Sequence, residues 1–149
     1  MSVDGSTERA AIKTRLSGYL LNGRVYTSLP EERRLEIDSS TGLIKPYILL
    51  HFGSLYPQAD DQSIEGADQQ PQIWPIIVEC WAADADSAMA TAGAVRTRLL
   101  GWAPGSGNAS EMDLRGGGWF EQKDSTGRPT RYMESVNFEM TINNSILAP

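Results

Sequence analysis

His51 is the only histidine and Cys80 the only cysteine in this chain of 149 residues. A Ser-His-Asp relay would have to be built on His51, because the imidazole is the base that moves the proton. That residue stands inside "YILLHFG", among large apolar neighbours. The setting favours a hydrogen-bonded strand histidine over a general base. Cys80 lies in the apolar run "QIWPIIVECWA" with no histidine near it in sequence. A buried, inert thiol is the expectation there. Zinc takes three or four Cys or His ligands, and one of each argues against a zinc site.

Carboxylates are the other reactive type. Asp60, Asp61, Glu65 and Asp68 crowd the stretch "SLYPQADDQSIEGADQQP", residues 54–71. They lack the D-x-[DN]-x-[DN]-G spacing of a calcium loop, so solvated loop charge is the better account. A carboxylate pair could hydrolyse a glycoside, but nothing marks a particular pair. The run "AADADSAMATAGAVRTRLLGWAPGSG", residues 82–107, raises the question of a phosphate-gripping loop. Such a loop needs GxxxxGK[ST] or GxGxxG between a strand and a helix, and neither is present. The run reads instead as a helix. Asp84 caps it, Asp86 falls in its first turn, Arg96 and Arg98 fall in its last turns, and Gly101 stops it. Ala85, Ala88, Ala92, Val95 and Leu99 then form one stripe, small enough to approach a sheet closely. No catalytic, cofactor-binding or metal-ligating residue is marked, and the expectation is a protein that is not an enzyme.

The remaining elements follow from periodicity. Residues 6–21 suit a helix, with Ser6 or Thr7 as cap, Glu8 in the first turn and Asn22-Gly23 at the end. Ala11, Ile12, Leu16, Tyr19 and Leu20 recur at helical spacing. Short strand signals cover 24–29, and residues 30–45 read as a connection. "PYILLHFG", 46–53, is apolar on both faces and predicts a central strand. The strand 72–82 carries Pro75, which has no N–H to give a ladder, so its start is expected at an edge or bulge. Ile76, Val78 and Cys80 share one of its faces; Ile77, Glu79 and Trp81 share the other. Residues 111–124 predict a strand interrupted by Gly116-Gly117-Gly118. Residues 130–142 alternate, with Tyr132, Val136, Phe138, Met140 and Ile142 on one side and Arg131, Ser135, Asn137, Glu139 and Thr141 on the other.

These elements add up to an α+β fold, a small mostly antiparallel sheet of about four to five strands packed by two helices. The length suits a single domain, residues 1–149. Its N-terminus (1–5) and C-terminal tail (143–149) are expected to be mobile, as is the long loop (54–71). Of the four tryptophans, Trp81 is expected in the core and Trp102 over a helix end. Trp74 and Trp119 stand at strand margins, where aromatics anchor interfaces or pack within the monomer.

A net charge of −6 argues against nonspecific DNA affinity, which needs Lys and Arg to displace counterions. An acidic channel would let DNA slide without sticking. A lone cysteine fits a reducing compartment. No apolar run approaches ~20 residues, so no membrane span is expected, and the first residues lack the apolar core of a signal peptide.

Taken in order, "GRVYTSLP", "PYILLHFG", "IEGADQQPQIWPIIVECWAADADSAMATAGAVRTRLLGW" and "GGGWFEQKDSTGRPTRYMESVNFEMTIN" resemble the tail terminator (tail completion) proteins of long-tailed bacteriophages. The stretches cover most of residues 20–144. The charged insert "EERRLEIDSSTG" departs from the pattern between the first two. The resemblance implies a structural α+β subunit that forms a homohexameric ring on the tail tube, ends its polymerisation and presents a surface to the head connector. It implies a virion protein of the tail–neck junction, assembled in the host cytoplasm, with DNA passing through the lumen. Expected partners are further copies of itself, the tail tube protein and the connector or neck protein. No cofactor and no membrane are implied. Long loops supply ring and tube contacts, so Tyr56, Asp60, Asp61 and Glu65, with Trp74 and Trp119, are the expected interface residues. Another neck or head-closure subunit is the alternative, and a small enzyme with an unmarked acidic cleft a more distant one.

Overall fold

The computed structural model describes residues 6–19, 24–27, 36–53, 56–57, 71–104, 111–114, 122–124 and 131–143. Along the chain the elements run α1 (Ser6–Tyr19), β1 (Val25–Tyr26), β2 (Tyr47–Phe52), β3 (Tyr56–Pro57), β4 (Pro71–Ala82), α2 (Ala85–Leu99), β5 (Asp113–Leu114), β6 (Gln122–Asp124) and β7 (Arg131–Asn143). They build one sheet in the order β1-β2-β4-β7-β5, with β3 also on β4 and β6 also on β7. Among the strands described, β1 and β2 pair in parallel and the other strand pairs are antiparallel. This is the α+β fold expected from the sequence.

The axis of the sheet is the β4–β7 pair, in register from Pro71↔Asn143 to Ala82↔Tyr132. Alternation along both strands aims Ile76, Val78 and Cys80 and Val136, Phe138, Met140 and Ile142 to one face, where all are buried. Both helices supply that core, α2 through Ala92, Val95 and Leu99 and α1 through Ile12 and Leu16. Asp84 caps α2 by accepting from Ser87 N at 2.7 Å, and Gly101 beyond its end takes φ +76°. Arg15 ties the two helices together. Its Nε donates to Arg98 O at 2.7 Å, and its guanidinium lies 4.6 Å from the ring centroid of Trp102.

Pro75 sits within the middle strand of the sheet, and the register slips by one residue beside it, as the expected bulge requires: Phe52 to Tyr56 is four residues against three from Ile76 to Ile73. Gly53 N donates to Pro75 O at 2.9 Å, so the missing N–H of Pro75 faces β2 and the β7 ladder loses nothing. β2 ends at Phe52 and β3 begins at Tyr56, which leaves the imino nitrogen opposite the break between them.

The expected interruption at the glycine triplet also has a counterpart. β5 and β6 both pair with β7, but from Leu114 to Gln122 is eight residues and from their partners Phe138 to Met133 only five. The extra length lies between Leu114 and Gln122, and Gly116–Gly118 lie outside the described residues.

Alternation on β7 holds from Val136 to Ile142 and fails before it. Arg131, Met133, Glu134 and Ser135 are all buried, because this end of the sheet is covered on both faces. On the second face Ile44 and Tyr47 form a smaller core with Tyr26, Trp81 and Ala83 against them. Residues 36–45, the described part of the 30–45 stretch read as a connection, supply it by turning back through the Ile37↔Ile44 bridge with Gly42 at φ +73°.

Candidate functional site

The second face of the sheet carries the ionisable and aromatic groups. Tyr47 and Trp81 are cross-strand partners and stack, 6.2 Å between centroids and 7° apart in plane. Tyr26 meets Tyr47 edge-on at 5.9 Å. Arg131 is buried beside them; its Nη1 donates to Tyr47 Oη at 2.7 Å and its guanidinium lies 5.4 Å from the Trp81 ring centroid. Trp81 Nε1 in turn donates to Glu79 Oε1 at 3.1 Å, and the other oxygen of Glu79 lies 3.4 Å from His51 Nε2. A chain of contacts thus leads from a closed aromatic cluster out to a histidine whose side chain is 47% exposed. Beside His51 in register is Ile77, a large apolar residue 40% exposed, and beyond it Asn137.

His51 therefore has a carboxylate partner, as half of a catalytic relay would. Among the described residues the serine nearest this pair in register is Ser135, opposite Glu79 rather than beside His51. It lies on β7, two strands from β2, which is roughly 10 Å at sheet spacing. A Ser-His-acid relay needs the imidazole between the other two groups, and here the acid stands in the middle. The chemistry this arrangement supports is electrostatic, an ion pair across strands when His51 is protonated.

On the opposite face Cys80 is fully buried, and burial first, then the nearby Glu134 carboxylate, pushes its thiol far above the usual range. Glu134, its cross-strand partner, is buried under α2 and pairs with Arg96 Nη2 at 3.0 Å. Its second oxygen has no hydrogen-bond partner among the described residues. Among the described residues no group of three or more His, Cys, Asp or Glu side chains converges for a metal ion, and no helix is long and apolar enough to cross a membrane.

Of the anticipated interface residues, Trp74 alone has its side chain among the described residues. Trp74 is 2% exposed, stacked on Phe52 at 5.3 Å, with its indole N–H given to Gly53 O at 2.6 Å. It packs inside the monomer, the second of the two roles expected of it. The backbone of Tyr56 is in β3, opposite Ile73. Asp60, Asp61, Glu65 and Trp119 lie outside the described residues. So do residues 1–5 and most of the 54–71 loop and the C-terminal tail.

Sequence reasoning did not single out Arg9 and Lys13. They stand at i, i+4 on α1 and flank an open cleft of about 620 Å³ against the end of β2. Their spacing was the only signal available. Arg131 and Glu134 gave none, since a charged residue in an alternating strand reads as solvated.

No family model matches the chain, and no curated protein matches it.

Proposed function

We propose that this chain is a structural subunit that works by self-association. Copies form a ring that caps a phage tail tube, ends its polymerisation and helps join the tail to the head connector. The observation that carries the reading is the unequal treatment of the two sheet faces. One face holds both helices, while the other leaves Ile77 and His51 open beside the hairpin that β3 and β4 begin. Ile77 is exposed at the end of that face not covered by the smaller core, and offers an apolar contact to an assembly. A closed ring of such contacts gains strength by multivalency, so each one is modest. The acidity of the chain agrees with DNA passing through without adhering.

The test is a tail assembly assay. The purified chain added to growing tail tubes should stop them at the length reached and remain on one end, as sixfold rings in electron micrographs. Phage particles made without it, yet with tails of normal length joined to heads, would remove this reading.

A further inference from the structure

β1 pairs with β2 at Ile48 and Leu49, and among the described residues no strand covers the outer edge of β2 beyond that point. The Gly53–Pro75 hydrogen bond sets the phase of the strand. Backbone groups of the odd-numbered residues face β4, and those of Phe52 face outward. Among the described residues no strand pairs with Phe52 N–H and C=O on that side. This edge opens into the cleft whose wall is formed by Arg9, Lys13, Thr27, Leu50, His51 and Phe52. The wall includes no acidic residue among those described, in a protein of net charge −6. His51 is engaged by Glu79, which leaves Arg9 and Lys13 as the cations that face the opening. Neither has an ion-pair partner among the described residues.

An unpaired strand edge is a template for an extended backbone, and two cations beside it select for carboxylates. Residues 58–70, "QADDQSIEGADQQ", match that chemistry, with Asp60, Asp61, Glu65 and Asp68 and no Lys or Arg. We infer that the cleft between α1 and the edge of β2 is a docking groove for an acidic peptide, and that the peptide is segment 58–70 of a neighbouring copy. The neighbouring copy rests on the self-association proposed above; the groove and its charge preference do not. A contact of this kind joins two different surfaces, so it propagates head to tail, the kind of contact from which a closed ring is built.

A fluorescein-labelled peptide of residues 58–70 is titrated with the full chain. Saturable binding is expected, weakened about tenfold or more by Arg9→Glu/Lys13→Glu and by raising salt from 0.05 to 0.5 M, and lost when its four acids are replaced by amides. Both cations are exposed, so the double variant should keep its circular dichroism and melting temperature. Absent binding, or binding unchanged in the double variant, overturns the groove. Tighter, cleft-dependent binding of a 12-bp DNA duplex overturns the peptide as its occupant. Mixing the double variant with a copy carrying the amide segment should give heterodimers. If none form while the peptide binds, the segment occupies its own cleft and the neighbour assignment falls. If the wild-type chain stays monomeric in solution and on tube ends while the peptide binds, the ring reading falls and the groove stands.

Discussion

Gly53 and Pro75 face each other so closely that a Cβ on Gly53 would lie 2.5 Å from Pro75 Cγ and 3.2 Å from Pro75 O. The proline leaves Gly53 O without its ladder donor, and the Trp74 indole fills the place at 2.6 Å. Gly53→Ala should therefore destabilise the fold by about 1–3 kcal/mol, as overpacking against a ring and a carbonyl does. Pro75→Ala in the same chain should recover much of that loss, because it removes the ring. Urea unfolding of the two single variants and the double should show this non-additivity; simple addition would disprove the contact.

The Arg131–Tyr47 hydrogen bond closes the aromatic cluster on the second face. Tyr47→Phe keeps the stack on Trp81 and takes away only the oxygen that accepts from a buried guanidinium. The expected cost is about 1–3 kcal/mol, read as a lower urea midpoint with an unchanged slope. A stability within error of wild type would mean that the hydroxyl is not the anchor of Arg131.

Arg96 and Glu134 pin α2 to β7. Arg96→Met leaves a buried carboxylate without its cation and should cost about 1–3 kcal/mol, kept to this range because the Arg96 side chain is 40% exposed and water screens it. The double variant Arg96→Met/Glu134→Leu should lie close to wild type, since the pair is replaced by apolar packing. Thermal melts of the set would decide, and a double variant worse than either single one would show that the pair does more than cancel itself.

The raised Cys80 thiol has a stated direction in pH. In the folded chain it stays protonated, while the unfolded thiol ionises above about 8.5. The unfolded state then holds fewer protons, so this group takes stability away as pH rises past that value, and takes none below it. Cys80→Val should flatten the alkaline fall in stability between pH 8 and 10. In the native wild-type chain, 5,5′-dithiobis(2-nitrobenzoate) should label Cys80 only at the rate of unfolding; prompt labelling at pH 8 would contradict the burial.

Much of the fold was legible because local signals were consistent. Asp84, the alanine stripe and Gly101 define α2 by capping and periodicity, with no help from distant residues. Val136 to Ile142 alternate cleanly because one face is buried and the other is not. The reading failed where burial came from elsewhere in the chain. Nothing near Arg131 or Glu134 announces that the turn at 36–45 and the α2 helix would enclose them. The cleft was equally hidden, since Arg9 and Lys13 are separated from His51 by about forty residues of sequence.

By itself, then, the sequence determined the element types, the buried faces of β4 and the later part of β7, and the inert setting of Cys80. These depend on spacing and side-chain size within one segment. Tertiary structure alone decided where Pro75 is tolerated, that Trp74 turns inward, which charges are buried in pairs, and that two helix cations line a cleft with the end of β2. Each of those depends on which strand ends beside which, and that is set by packing of segments far apart in the chain.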